Sequence, residues 1–373
     1  MKKSKMIIGI LFLLVTVFLL TACQQDPGAD TPAADTSPTP TTQQDPGAET
    51  SEVPTTGGRI AAIRNMTNSD HTVQFFNGII SEAEAFGFTV DTFLSDGDDL
   101  TMRSLMEQAL LQDYDIWIIS HASEGYQYEL ISRAVEQGVF VTAFDSSGDM
   151  VPGVTYTSQD DRSLAMISLD DMIERAVEQG AELPVRFIAM NILGMLAPFD
   201  IRHSVIEEYV EQGKLELIQM VAPNLDDLYG SIYTAISTAL RRYDVGEIHG
   251  IWTATSFFLD GAIDAVHNAG RSEIVITAVD ISDTEIHRMV TVPEYFSCAA
   301  VDPYVIGVVS VRLAVSKMHG LETPQTLTFP AVGIRADQLS IEDTMATLYR
   351  HFPDFGSTDI MRTPELDALR ITN

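Results

Sequence analysis

From Arg59 onward, short uninterrupted apolar runs alternate with segments whose apolar residues recur at helical spacing. Ile60-Ala61-Ala62-Ile63 and Ile116-Trp117-Ile118-Ile119 have no polar face. Strands of that kind must be covered on both sides, as in a parallel sheet flanked by helices. Between and after them, Val73 to Phe86 and Leu100 to Leu111 read as helices and Phe88 to Leu94 as a strand. Residues 126–137 read as a helix ending at Gly138, and Val139 to Phe144 as a strand. The rhythm resumes with strands at 185–192, 215–221, 247–252, 273–279 and 297–301. Helices fall near 160–179, 199–212, 227–242, 257–269 and 282–290. A long helix from Pro303 to His319 leads to a strand-like stretch at 326–334. The pattern predicts an α/β chain with two doubly wound units, which place a ligand beyond the carboxyl ends of their strands.

The first 58 residues lie outside that rhythm. Lys2, Lys3 and Lys5 precede an apolar run from Ile7 to Leu20, about 14 residues and short of the roughly 20 that span a bilayer. The run ends in Leu20-Thr21-Ala22-Cys23, which resembles the bacterial lipobox. That resemblance implies a lipoprotein signal peptide over 1–22 and a lipid on Cys23; the alternative is a plain anchor with an incidental cysteine. Gln24 to Gly58 holds eight Thr, six Pro, six acids and no basic or aromatic residue, and repeats Gln-Gln-Asp-Pro-Gly-Ala at 24–29 and 43–48. So little apolar surface cannot offset chain entropy, and 23–58 is expected to be a disordered tether of roughly 30–35 Å root-mean-square span. The expected location is the extracytoplasmic face of the cell membrane, held by lipid.

Charge narrows the partners. The chain carries 22 basic against 53 acidic residues, a formal net charge of −31. That argues against nucleic acid, whose phosphates need a cationic face, and disfavours polyanionic ligands. Cys23 and Cys298 are the only cysteines, too few for a disulfide framework or a thiolate metal cluster.

Six pieces, in order, resemble the type I periplasmic sugar-binding proteins of ABC importers, the ribose-binding-like group, over about residues 59–340. They are Ile60 to Ile63 with Asn68-Ser69-Asp70-His71-Thr72 and Asn77-Gly78; Val141-Thr142-Ala143-Phe144-Asp145; Tyr156-Thr157-Ser158-Gln159-Asp160; Phe199-Asp200-Ile201-Arg202; Ile276-Thr277-Ala278-Val279-Asp280; and Asp302-Pro303-Tyr304-Val305-Ile306-Gly307. The resemblance implies two lobes joined by a three-segment hinge near 158–160, 301–303 and 330–332. Lobe I would comprise 59–159 and 302–330, and lobe II 160–301 and 331–345. Residues 346–373, with Phe352-Pro353 and Pro364, lie past the family's usual end and read as a surface extension.

Sugar recognition uses carboxylates that accept from adjacent hydroxyls and guanidinium groups that donate in a planar fork. Asp145 and Asp280 follow predicted strands and are expected in the pocket, although each could instead cap a turn or helix. Arg202 has Val205 and Ile206 where a helical acid partner would stand, so it too is expected in the cleft. His71 and Thr72 occupy the family's aromatic positions, and Ser120, Ser146 and Thr255 stand where other polar residues are usual. Arg64 ends the first strand and is expected as a second cation. Trp252 and Phe257 flank the Thr255 turn as a stacking face, or Trp252 belongs to the core.

Asp96-Gly97-Asp98-Asp99 lacks the alternating ligands of a calcium loop and reads as a turn capping the helix at Leu100. No nucleophile elbow, zinc helix or phosphate-binding loop occurs, so the sequence supports neither an enzyme nor a cofactor or metal. The expected function is a monomeric solute-binding lipoprotein that closes on a monosaccharide or polyol and delivers it to an ABC permease. A sensor presenting its ligand to a signalling partner and a nucleoside-binding importer receptor are the competing readings.

Overall fold

The computed structural model describes residues 57–371. The expected signal peptide, Cys23 and the expected tether up to residue 56 lie outside the described residues. Gly58, read from sequence as the end of the tether, already pairs with Phe88 in the first sheet.

The first half runs β1 (Gly58–Arg64), α1 (Asp70–Ala85), β2 (Phe88–Leu94), α2 (Asp99–Ala109), β3 (Ile116–Ser120), α3 (Gln127–Glu136), β4 (Phe140–Phe144) and β5 (Thr155–Gln159). The second runs α4 (Asp161–Glu178), β6 (Val185–Met190), α5 (Ala197–Glu211), β7 (Leu215–Val221), α6 (Leu228–Arg242), β8 (Gly250–Thr253), α7 (Leu259–Ala269), β9 (Val275–Val279), α8 (Asp283–Thr291) and β10 (Tyr295–Ala300). Then follow α9 (Pro303–Met318), β11 (Thr326–Phe329), β12 (Val332–Arg335) and a short α10 (Pro364–Asp367).

The strands form two six-stranded sheets, ordered β11-β5-β4-β3-β1-β2 and β12-β10-β9-β8-β6-β7. Every pairing is parallel except β10 with β12. In the first sheet the chain turns outward from β1 to β2 and then returns to β3 on the other side. In the second it does the same around β6. Each reversal opens a crevice at the strands' carboxyl ends. Apolar runs such as Ile116 to Ile119 are fully buried because helices cover both faces of the sheet.

Helices α1 and α9 cross closely in the first lobe. A Cβ at Gly78 would run into the Tyr304 carbonyl, and one at Gly307 into that of Phe75, so both positions need the missing side chain. Helix α1 begins at Asp70 under a Ser69 cap, three residues before the sequence reading. His71 and Thr72 therefore sit in its first turn instead of in a loop. Asp98 caps α2 through the Thr101 amide, as the turn reading of the acid cluster requires.

Three features differ from the sequence reading. Tyr156 to Asp160 resemble a hinge crossing with no strand expected, yet all but Asp160 lie in β5 (Thr155–Gln159), between β4 and β11. Two of its polar side chains bond within the fold: Tyr156 donates to Gln127 Oε1, and Thr155 donates to the Pro324 carbonyl. The stretch at 326–334, a single strand-like run by apolar pattern alone, is two strands in different sheets, divided at Pro330, which has no amide to continue a ladder. The C-terminal residues are not a surface extension. Leu348, Phe352 and Phe355 are buried in the second core, and Leu366 in the first. Among the described residues, no helix is long and apolar enough to cross a membrane.

Candidate functional site

Arg64 is the last residue of β1, at the reversal between β1 and β3, and is only 1% exposed. Its Nε donates to Thr72 Oγ1 at 3.2 Å, Nη1 to Ser120 Oγ at 3.0 Å and Nη2 to His71 Nδ1 at 3.0 Å. The guanidinium also lies 4.6 Å over the Phe75 ring. These partners are all neutral, and burial draws the Arg64 pKa down to about 10.

The donor order fixes one proton. His71 Nδ1 accepts from a guanidinium, so its proton is on Nε2. Ser120 Oγ accepts from Arg64 and lies 2.7 Å from His121 Nδ1. His121 Nε2 faces Asp145 Oδ2 at 3.8 Å. Burial lowers the His71 pKa to about 4, aided by the Arg64 charge, and holds His121 well below the ordinary histidine value. Both rings are therefore neutral hydrogen-bonding groups at pH 7.

Asp145 follows β4 with its carboxylate 2% exposed, and its Oδ2 has no hydrogen-bond partner. Burial pushes its pKa up to about 8; negative Asp161 adds to this, and Arg202 and Arg64 oppose it. His121, Asp145 and Asp280 all have left-handed backbones, with φ of 61°, 45° and 73°. Each follows a strand end, and non-glycine residues held there aim a short polar side chain into the crevice at a local conformational cost.

In the second lobe, Arg202 projects from α5 with its side chain 3% exposed. Asp161 Oδ1 accepts from Nε at 2.9 Å and lies 2.8 Å from Nη2; Nη1 donates to the Ala254 carbonyl. Asp280 Oδ2 lies 3.9 Å from Nη1 and keeps 15% exposure. Burial opposes the Arg202 charge, but Asp161, Asp280 and Asp145 together hold its pKa above the ordinary value. The sequence expectation that Arg202 lacked an acid partner considered only its own helix. The partner comes from the first turn of α4, which follows the crossing at Asp160.

The structure thus gathers Arg64, His71, Thr72 and Ser120 into one cluster, sets Asp145 beside His121, and pairs Arg202 with Asp161 and Asp280. Thr72 and Ser120 are fully buried and orient Arg64. Three candidates are otherwise engaged. Ser146 ties the turn after β4 to the Ala122 amide at 3.3 Å. Thr255 caps a 3-10 turn by accepting from the Phe257 amide, and Phe257 itself is half exposed. Trp252 is no stacking face. It is wholly buried in the second core, and its Nε1 donates to Ser168 Oγ at 2.8 Å, because its position on β8 points it at α4.

His121 and Asp161 are the polar groups that sequence reasoning did not select. A polar residue straight after an apolar strand is a usable signal for His121, whereas nothing in the sequence pairs Asp161 with Arg202. The two halves meet: Thr284 Oγ1, at the start of α8, donates to Asp70 Oδ2, at the start of α1, at 3.3 Å. The arrangement can clasp a small molecule between guanidinium donors, carboxylate acceptors and two neutral imidazoles.

A family model for the periplasmic binding protein domain matches residues 60–322. Among solved structures, a sugar ABC transporter protein from Yersinia enterocolitica subsp. enterocolitica 8081 is 31% identical with a TM-score of 0.75, over 83% of this chain and 93% of that one. A 5-methylthioribose transporter solute-binding protein from Thermotoga lettingae, in complex with 5-methylthioribose, is 22% identical with a TM-score of 0.73, over 83% and 98%. An ABC transporter periplasmic solute-binding protein from Actinobacillus succinogenes, with bound D-allose, is 13% identical with a TM-score of 0.66, over 75% and 98%, and shares the fold. No match is found among curated proteins. With its two doubly wound sheets, its strand-end cleft and a family match over most of the folded body, the chain belongs to the type I periplasmic-binding-protein family.

Proposed function

We propose that the protein captures a neutral, polyhydroxylated small molecule, a monosaccharide or polyol, between its lobes and delivers it to an ABC importer. The observation that carries this reading is the alternation of donors and acceptors at the strand ends. Asp280 and Asp145 offer carboxyl oxygens, one of them without a partner, while Arg64 and Arg202 have guanidinium N–H groups to spare. Adjacent hydroxyls are both donors and acceptors, and suit such a surface better than a formal charge does. The sugar-binding solved neighbours support the same class. In this reading the protein binds without turnover, works as a monomer, and is held at the extracytoplasmic face by a lipid on Cys23. The ligand-binding residues are Asp145, Arg202, Asp280, His71 and Arg64, joined by His121, with Thr72, Ser120 and Asp161 orienting them.

The test is a thermal-shift panel of pentoses, hexoses, deoxy sugars, polyols and nucleosides, run on the protein and on Asp280→Ala. A ligand at 100 times its dissociation constant adds about 2.7 kcal/mol of stability, several degrees of melting temperature. The expected result is a shift with one sugar or polyol that Asp280→Ala abolishes. A nucleoside-only response replaces the cargo, and silence across the panel rejects the sugar reading.

A further inference from the structure

The residues after β12 form a connection of their own between the lobes. In the second lobe, the Met345 amide donates to Asp283 Oδ1 at 2.7 Å, and Leu348, Phe352 and Phe355 are buried in the core. The chain then passes the hinge side. Phe355, Gly356, Ser357 and Ile360 line a small cavity there together with Asp302 and Pro330, which belong to two of the other crossings. In the first lobe, Arg312 Nη1 on α9 donates to the carbonyls of Thr358 and Ile360. Leu366 is buried in the first core, Arg370 pairs with Glu82, and the Ile371 amide donates to the Ala85 carbonyl at 2.8 Å.

We propose that residues 345–371 are a strap, a fourth crossing anchored in both lobes, that restricts how the cleft opens. Phe355 is fixed in one core and the Thr358 carbonyl is held by the other lobe, leaving three residue steps to span them. A chain reaches at most about 3.3–3.6 Å per residue, so this bridge has roughly 10 Å of total reach. Bending about an axis through the hinge side leaves its length nearly unchanged. Twisting or sliding of the lobes moves the two anchors apart and stretches it. The strap therefore admits bending and resists twist, so each closure brings Arg64 and Asp145 back opposite Arg202 and Asp280. A binding-competent arrangement that recurs reliably avoids the loss of apparent affinity that a scattered open ensemble imposes.

The test needs no ligand. Spin labels are placed at the cleft mouth with Val73→Cys on α1 and His287→Cys on α8, in the full chain carrying Cys23→Ser; Cys298 is buried. Inter-label distances are measured with and without a Gly-Ser-Gly-Ser insertion between Gly356 and Ser357, which adds up to ~13 Å of slack while keeping both anchors. The expected result is a distribution that broadens and shifts to longer distances in the insertion variant. The same insertion after Gly180, a turn far along the chain from the strap, should leave it unchanged. Superimposable distributions for parent and strap variant overturn the proposal, as does an equal response to the Gly180 insertion. Amide exchange of the parent gives a second, mutation-free check: the Ile371 amide should be protected like the Ala85 helix it bonds, and exchange at the rate of a free terminus overturns the strap.

Discussion

Arg202 and Asp161 form a buried ion pair, and removing the charge of Asp161 while keeping its shape tests that assignment. Asp161→Asn leaves the guanidinium with the Ala254 carbonyl and with Asp280 at 3.9 Å. At an effective dielectric of about 20, a 2.8 Å contact contributes about 6 kcal/mol of attraction, and releasing Asp161 from its desolvated site returns several of these. Breaking a buried pair typically costs 3–5 kcal/mol, and Asp280 as a residual partner puts the expected loss near the low end, about 3 kcal/mol. At roughly 2–4 °C per kcal/mol, the melting temperature should fall by roughly 6–12 °C. The assay is urea unfolding of the protein, Asp161→Asn, Arg202→Met and the double variant. If the two side chains act on each other, the double variant should be more stable than the sum of the single losses predicts, by about 2 kcal/mol or more. Additivity within about 0.5 kcal/mol would refute the pairing as the reason Arg202 tolerates burial.

Two further outcomes follow from the same geometry. The folded Asp145 carboxyl holds its proton up to about 8, while an unfolded one releases it near 3.9, so its contribution to stability should fall as pH rises through this window. His71 and His121 act oppositely: unfolded, each is half protonated near pH 6.5, so together they offset the Asp145 slope there and fade towards pH 8, and the Asp145 share, no more than about 1.4 kcal/mol per pH unit, is read as the difference from Asp145→Asn. Urea midpoints at pH 6.5, 7.2 and 8 should therefore rise with pH more steeply in Asp145→Asn than in the parent protein; equal slopes in both proteins count against a buried, protonated Asp145. Trp252→Phe should cost about 1–3 kcal/mol through the lost bond to Ser168 and the vacated volume, with ligand response on the panel unchanged. A weakened ligand response at full folding would return Trp252 to the cleft.

Local pattern determined most of the secondary structure and the fold class. Apolar strands such as Ile116 to Ile119 and helices such as Leu228–Arg242 announce themselves, because burial on two faces or on one stripe dictates their composition. The strand ends then marked Arg64, Asp145 and Asp280, since a doubly wound sheet exposes its crevice there whatever the ligand. What sequence could not carry was everything decided by partners distant along the chain. Polar β5 is a strand because β4 and β11 flank it, not because its own residues demand one. Arg202 finds Asp161 forty-one positions away, and Trp252 turns to Ser168 eighty-four positions away. Leu348, Phe352, Phe355 and Leu366 have no sustained periodicity to declare them, and only the two lobes they lie against make them core. Periodicity is a local property and can be read along the chain; the choice of partner for a buried charge, a polar strand or a terminal strap is made when the sheets assemble.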